Sequence, residues 1–136
     1  MRDENAFMDT NLIVYLYSKN DTEKQKQVIN LLSNYDCFVS TQVLNEFCNV
    51  AIKKQEKQIL EIDKNIDEIL DTCNLLAVRH STIKKSLVLN GRYGYSYYDC
   101  LIIASALEAD CKYLFSEDMQ NGQIVENTLK IVNPFV

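Results

Sequence analysis

The segment Asp99-Cys100-Leu101-Ile102-Ile103-Ala104-Ser105-Ala106-Leu107 has helix-forming composition and is apolar on nearly every side. A helix with no polar face is stable only when it is covered all round, so this one belongs between layers of other structure. The rest of the chain supplies those layers. Short apolar runs at Ala6-Phe7-Met8, Asp36-Cys37-Phe38-Val39-Ser40, Leu75-Leu76-Ala77-Val78, Lys112-Tyr113-Leu114-Phe115-Ser116 and Leu129-Lys130-Ile131-Val132 read as strands. Helical patterns separate them. One starts at Leu12, and a second follows the break at Asn20-Asp21-Thr22-Glu23, with Val28, Ile29, Leu31 and Leu32 on one face. A third, with Thr41 as its N-cap, is expected to run to about Gln58, burying Val43, Leu44, Phe47, Val50 and Ala51. Further helices are expected over Ile59 to Cys73 and Ser81 to Asn90, with Gly91 to Tyr95 as a loop. Strands alternating with helices predict an α/β fold, a three-layer α/β/α sandwich around a mainly parallel central sheet. At 136 residues the expectation is one domain over 1–136.

Composition narrows the function classes. With 3 Gly and 1 Pro there is little material for disordered linkers. No apolar run reaches the roughly 18 residues that a membrane-spanning helix needs. Met1-Arg2-Asp3-Glu4-Asn5 reaches an acidic pair before any apolar stretch, unlike a secretory leader. The 5 cysteines are scattered without a Cys-x-x-Cys pair and His80 is the only histidine, so reduced core thiols in a cytoplasmic protein are expected rather than a zinc site. A net charge of −5 speaks against nucleic-acid binding by the molecule as a whole. Clustered carboxylates that hold divalent cations would remove much of that objection.

The positions of the acids suggest such a cluster. In an open parallel sheet, ligands bind outside the carboxyl ends of the strands. Asp9 follows the first strand directly, Asp118 follows the strand ending near Ser116, Glu46 lies early in the helix after the second strand, and Asp99 begins the apolar helix. All four are thus expected at the same sheet edge. Capping and the helix dipole could alone account for Glu46 and, less well, for Asp99, and a turn could account for Asp118. Asp9 is harder to dismiss in this way, because it interrupts an apolar stretch between Met8 and Leu12. Two carboxylates about 5 Å apart repel by roughly 3 kcal/mol at an effective dielectric near 20, so a fold that gathers several needs compensation. A hard dication supplies it, and Mg2+ or Mn2+ suits a site of few carboxylates plus water. Such an ion activates water and stabilises charge on a phosphate undergoing displacement.

These residues bring a family into view. The chain resembles PIN-domain proteins, particularly the small VapC-like ribonucleases that serve as the toxin half of bacterial toxin–antitoxin pairs. The resemblance rests on Phe7-Met8-Asp9-Thr10-Asn11, Ser40-Thr41-Gln42-Val43-Leu44-Asn45-Glu46, Ser96-Tyr97-Tyr98-Asp99-Cys100-Leu101-Ile102-Ile103-Ala104 and Leu114-Phe115-Ser116-Glu117-Asp118-Met119, in that order, with Val132-Asn133-Pro134-Phe135 at the end. It implies a Mg2+- or Mn2+-dependent endoribonuclease, with an RNA substrate, a small antitoxin protein as partner and a tendency to form homodimers. Asp9, Glu46 and Asp99 match the family's three central acids and Asp118 the fourth, more variable one. Thr10 falls within the first motif, while Asn11 and Ser116 match supporting polar positions. Ser116 stands where Thr is common, a mild departure because both carry a hydroxyl.

On that reading Asp9 and Asp99 are metal ligands, and Asp118 completes a second site or binds through water. Glu46 either ligates or acts as general base toward the attacking water. The resemblance implies 5′-phosphate and 3′-hydroxyl products. Lys53, Lys54 and Arg92, with Lys57, Lys84 and Lys85, are candidates for contact with the RNA backbone, against the ordinary role of solvated helix faces. Tyr95, within the run Tyr93, Tyr95, Tyr97 and Tyr98, is a candidate for base stacking, against a role in packing. Two other readings are carried alongside: a non-catalytic PIN module that binds RNA or protein, and a Mg2+-dependent phosphatase of another α/β family. The phosphatase reading suffers because Asn11 occupies the place where haloacid-dehalogenase-like enzymes need a second Asp.

Overall fold

A computed structural model describes residues 4–136. Met1, Arg2 and Asp3, from the charged N-terminal stretch noted above, lie outside the described residues. The strands are β1 (Asn5–Met8), β2 (Asp36–Ser40), β3 (Asn74–Leu76), β4 (Tyr113–Phe115), β5 (Ile124–Val125) and β6 (Leu129–Val132). They form a 6-stranded sheet in the order β3-β2-β1-β4-β6-β5. Every pairing is parallel except the antiparallel β5–β6 edge. The helices are α1 (Thr10–Leu16), α2 (Thr22–Asn34), α3 (Thr41–Lys53), α4 (Ile59–Thr72), α5 (His80–Tyr93) and α6 (Tyr97–Glu108). They complete the three-layer α/β/α sandwich.

The strand order fixes where a ligand can sit. The chain runs outward from β1 through β2 to β3, then returns to lay β4 on the opposite side of β1. Phe7 therefore pairs with Phe38 on one side and Leu114 on the other. The reversal leaves a crevice beyond the carboxyl ends of β1 and β4, the place where open α/β sheets bind ligands. Asp9 and Ser116 are the first residues beyond those two ends.

α6 is the covered helix that its composition demands. Cys100, Leu101, Ile102, Ile103, Ala104, Ser105 and Ala106 are all buried, packed against α5 on one side and the sheet on the other. Ser96 caps it, accepting from the Asp99 N–H at 3.2 Å, and so sets the first turn that carries Asp99. Cys37, Cys73, Cys100 and Cys111 are buried and Cys48 is half-buried. Burial pushes the Cys111 thiol up to about 12, which keeps it neutral as a core side chain should be. His80 is exposed at the start of α5. Among the described residues no helix is long and apolar enough to cross a membrane.

Several boundaries differ from the sequence expectation. Ser40, rather than Thr41, caps α3; its hydroxyl accepts from the Val43 N–H at 3.3 Å. α3 ends at Lys53 instead of about Gln58, because Glu56 adopts a left-handed backbone (φ 51°) that no helix can continue through. The reversal is closed by the Lys57 N–H donating to the Ala51 carbonyl at 3.0 Å. Gly91, Arg92 and Tyr93 form the last turn of α5 and not a loop; the helix stops at Gly94, whose φ of 75° suits a residue without Cβ. β5 was not expected.

Candidate active site

Asp9 serves as the N-cap of α1, and the Thr10 N–H donates to its Oδ1 at 2.7 Å. The Ser116 hydroxyl donates to its other oxygen, Oδ2, at 2.8 Å. The crevice between β1 and β4 is thus bridged by a carboxylate that is only 8% exposed. Burial raises its pKa from 3.8 to about 6; the bonds from Ser116 and Thr10 oppose the shift, and the negative charges of Asp99 and Glu46 add to it.

The other acids reach the same crevice from different elements. Glu46 lies on the second turn of α3, where the Thr10 hydroxyl donates to its Oε1. Asp99 is half-buried in the first turn of α6, its pKa raised by burial and by Asp118, against a lowering bond from Ser96. Asp118, in the loop after β4, accepts from Asn11 Nδ2 at 2.6 Å. Together Asp9, Thr10, Asn11, Glu46, Asn49, Val50, Asp99 and Asp118 line a cleft of about 290 Å3. No basic residue is among them.

Their donor chemistry suits a hard cation: carboxylate, amide and hydroxyl oxygens, surplus negative charge and no competing ammonium or guanidinium. The carboxylates are not, however, gathered on one point. Among the described residues no three His, Cys, Asp or Glu side chains form a group that could hold a metal ion as they stand. The reason is visible in the hydrogen bonds. Asp9 is held by Ser116 and the Thr10 amide, Glu46 by the Thr10 hydroxyl and Asp118 by Asn11, so each acid leans toward its own neutral partner.

The structure thus brings Asp9, Glu46, Asp99 and Asp118 to one cleft, with Thr10, Asn11 and Ser116 supporting them. The backbone-contact and stacking candidates lie elsewhere. Lys53 and Lys54 are exposed at the far end of α3. Arg92 is engaged with Glu126, donating to Oε1 at 2.5 Å and Oε2 at 2.8 Å. The Tyr95 hydroxyl donates to Gln123 Oε1 and accepts from the Gln120 N–H, tying the start of α6 to the loop before β5. Asn49, one turn beyond Glu46, was missed by sequence reasoning; the i, i+3 spacing on α3 was the available signal. Also missed was Glu117, whose carboxylate binds both Lys24 and the Tyr15 hydroxyl and so anchors the loop carrying Asp118.

A mainly parallel sheet with an acid-lined crevice at its reversal point defines a class of α/β domains, and a family match makes the class specific. Residues 6–121 match the PIN domain family, and the chain belongs to it. No curated protein matches the chain in sequence. Among solved structures it is similar to a toxin–antitoxin complex from Klebsiella pneumoniae, with TM-score 0.71 and 18% identity over 95% of this chain and 97% of that one. VapBC2 from Rickettsia felis, bound to a DNA fragment from its promoter, has TM-score 0.68 and 18% identity over 95% and 99%. VapC20 of Mycobacterium tuberculosis, a toxin that cleaves the sarcin–ricin loop, has TM-score 0.67 and 16% identity over 83% and 91%. At these identities the likeness is one of fold.

Proposed function

We propose that this chain is a Mg2+- or Mn2+-dependent endoribonuclease and the toxin of a toxin–antitoxin pair. The observation that carries the reading is the cleft itself: acids from four separate elements, oxygen donors throughout and no cation of the protein's own. The full set of acids favours catalysis over a module that only binds. Similarity of fold to structures of toxin–antitoxin complexes supports a small antitoxin protein as partner.

Asp9 and Asp99 would hold the ion, with Asp118 joining them directly or through water. When bound, a divalent ion lowers the pKa of water and stabilises charge on a phosphate in displacement. The protein's own residues do the rest. Ser116 and the Thr10 amide fix the Asp9 carboxylate, Asn11 fixes Asp118, and Thr10 orients Glu46. Glu46 stands at the wall of the cleft as a further ligand or as the base that takes the proton of the attacking water.

An RNA cleavage assay tests the reading. Cleavage is expected with Mg2+ or Mn2+ and is expected to vanish in EDTA; equal cleavage in EDTA, or none of any RNA with either ion, would overturn it. Glu46→Gln separates the two roles of that residue. A base is expected to lose turnover by about 100- to 10,000-fold with Mn2+ affinity kept, whereas a ligand loses both.

A further inference from the structure

We infer that a second cleft, lined by Lys19, Lys54, Gln55 and Lys57, is a subsite for another nucleotide of the same RNA strand, a step that rests on the ribonuclease reading. This cleft, of about 420 Å3, lies where α1 and α3 end. Its size falls in the ordinary range for ligand pockets, about 300–1,000 Å3. The two clefts lie along the same two helices, α1 and α3. Thr10 and Asn11 of α1 line the acidic one, and Tyr17, Ser18 and Lys19 just beyond that helix line the other. On α3 the sequence Glu46, Asn49, Val50 leads by one more turn to Lys54. The eight steps from Glu46 to Lys54 rise about 12 Å along the helix direction. A single RNA strand covers that distance in a few nucleotide steps.

The chemistry of the second cleft suits a nucleotide. Three lysines face two glutamates, Glu56 and Glu61, leaving local positive charge on a chain of net −5. Among the described residues none of these lysines is held in an ion pair. Lys57 is pre-positioned, lying 5.2 Å from the Tyr17 ring centroid and 3.4 Å from Asn65 Oδ1. Gln55 adds a second, independent feature: its side-chain oxygen is buried without a hydrogen-bond partner. Buried acceptors of this kind are rare, and a rotation of this cleft-lining side chain would bring the oxygen to a ligand donor. The left-handed Glu56 between Gln55 and Lys57 holds the turn in a conformation that a non-glycine residue seldom takes. A ribonucleotide offers both complements at once, an anionic phosphate for the lysines and a hydroxyl or amino donor for Gln55.

The test is binding of a short fluorescein-labelled single-stranded oligoribonucleotide, followed by anisotropy in EDTA so that turnover plays no part. Lys54→Ala with Lys57→Ala is expected to weaken binding about tenfold or more and to lower the slope of log K against log[salt] by about 1.4. The matched change Lys26→Ala with Lys130→Ala is expected to stay within about twofold of wild type. Gln55→Leu is expected to weaken binding severalfold with the salt slope unchanged, since no charge is lost. The inference is overturned if the lysine double variant behaves like its matched control, if Gln55→Leu binds as wild type, or if a polyaspartate peptide displaces the RNA as well as unlabelled RNA does. The last result would assign the cleft to an acidic protein segment. Loss of metal-dependent cleavage in the wild type would instead remove the ribonuclease reading, which this binding experiment leaves separate.

Discussion

Asp9→Asn is expected to lower metal-dependent RNA cleavage by about 1,000-fold or more while making the metal-free protein more stable. Both halves follow from one environment. The carboxylate is buried, and burial raises its pKa from 3.8 to about 6. At neutral pH the ionised side chain therefore destabilises the folded state by about 2–3 kcal/mol relative to a group with an ordinary pKa. Asparagine keeps an oxygen for the Ser116 hydroxyl or the Thr10 amide but carries no charge to desolvate. The sign of the pH dependence is fixed by the same shift. The folded state binds the proton more tightly than the unfolded chain, so the Asp9 contribution to stability is fully present below about pH 4 and is lost as pH rises through about 6. Glu117 works in the opposite sense, because Lys24 and Tyr15 hold its carboxylate below the usual range against its own burial. The difference between wild type and Asp9→Asn isolates the Asp9 part. In urea denaturation with EDTA the variant is expected to gain little at pH 4 and about 2–3 kcal/mol at pH 7. A variant that is destabilised at pH 7 would show that Asp9 serves the fold rather than a cation.

Ser116→Ala is the second large effect. Its buried hydroxyl donates to Asp9 Oδ2 at 2.8 Å and accepts from the Met119 N–H at 3.3 Å. Removing it leaves a buried carboxylate oxygen and a loop amide without those partners. A hydrogen bond to a charged group contributes about 1.5–3 kcal/mol, so a loss of about 2 kcal/mol is expected at pH 7. The loss is expected to shrink near pH 5, where Asp9 takes up its proton. Cleavage is expected to fall about 10- to 100-fold, the usual scale for a residue that orients a metal ligand. Ser116→Thr retains the hydroxyl and is expected to retain most of the activity. Melting curves at the two pH values and initial cleavage rates check these outcomes; equal destabilisation by Ala at both pH values would separate Ser116 from the charge on Asp9.

What the sequence revealed of this site follows from where polar residues interrupt apolar ones. Asp9 and Ser116 stand immediately after short apolar strands, so strand exits and acid positions could be located together. Asp99 was legible because α6 is apolar on nearly every side and carries that acid in its first turn. Other features depend on contacts that local spacing does not encode. The end of α3 is set by a left-handed Glu56, although Lys54, Gln55, Glu56 and Lys57 are all good helix formers. Arg92 reads as a free cation in the sequence, but Glu126, 34 positions away, accepts from it. The Tyr95 partner Gln123 lies at a similar remove. β5 has only 2 residues and exists because it pairs with β6 across a reversal that includes left-handed Glu126 and Asn127. Gln55 would read as an ordinary solvated helix residue; its buried, unpartnered oxygen emerges only from the packing around it.

Isothermal titration of Mn2+ into the wild type and into Asp9→Asn, Glu46→Gln, Asp99→Asn and Asp118→Asn bears most directly on whether these acids share an ion. The expected result is binding by the wild type that weakens at least about tenfold in Asp9→Asn and Asp99→Asn, because each removes a charged oxygen ligand from a site of few carboxylates. Identical Mn2+ binding by the wild type and all these variants, or no binding by the wild type at all, would contradict it.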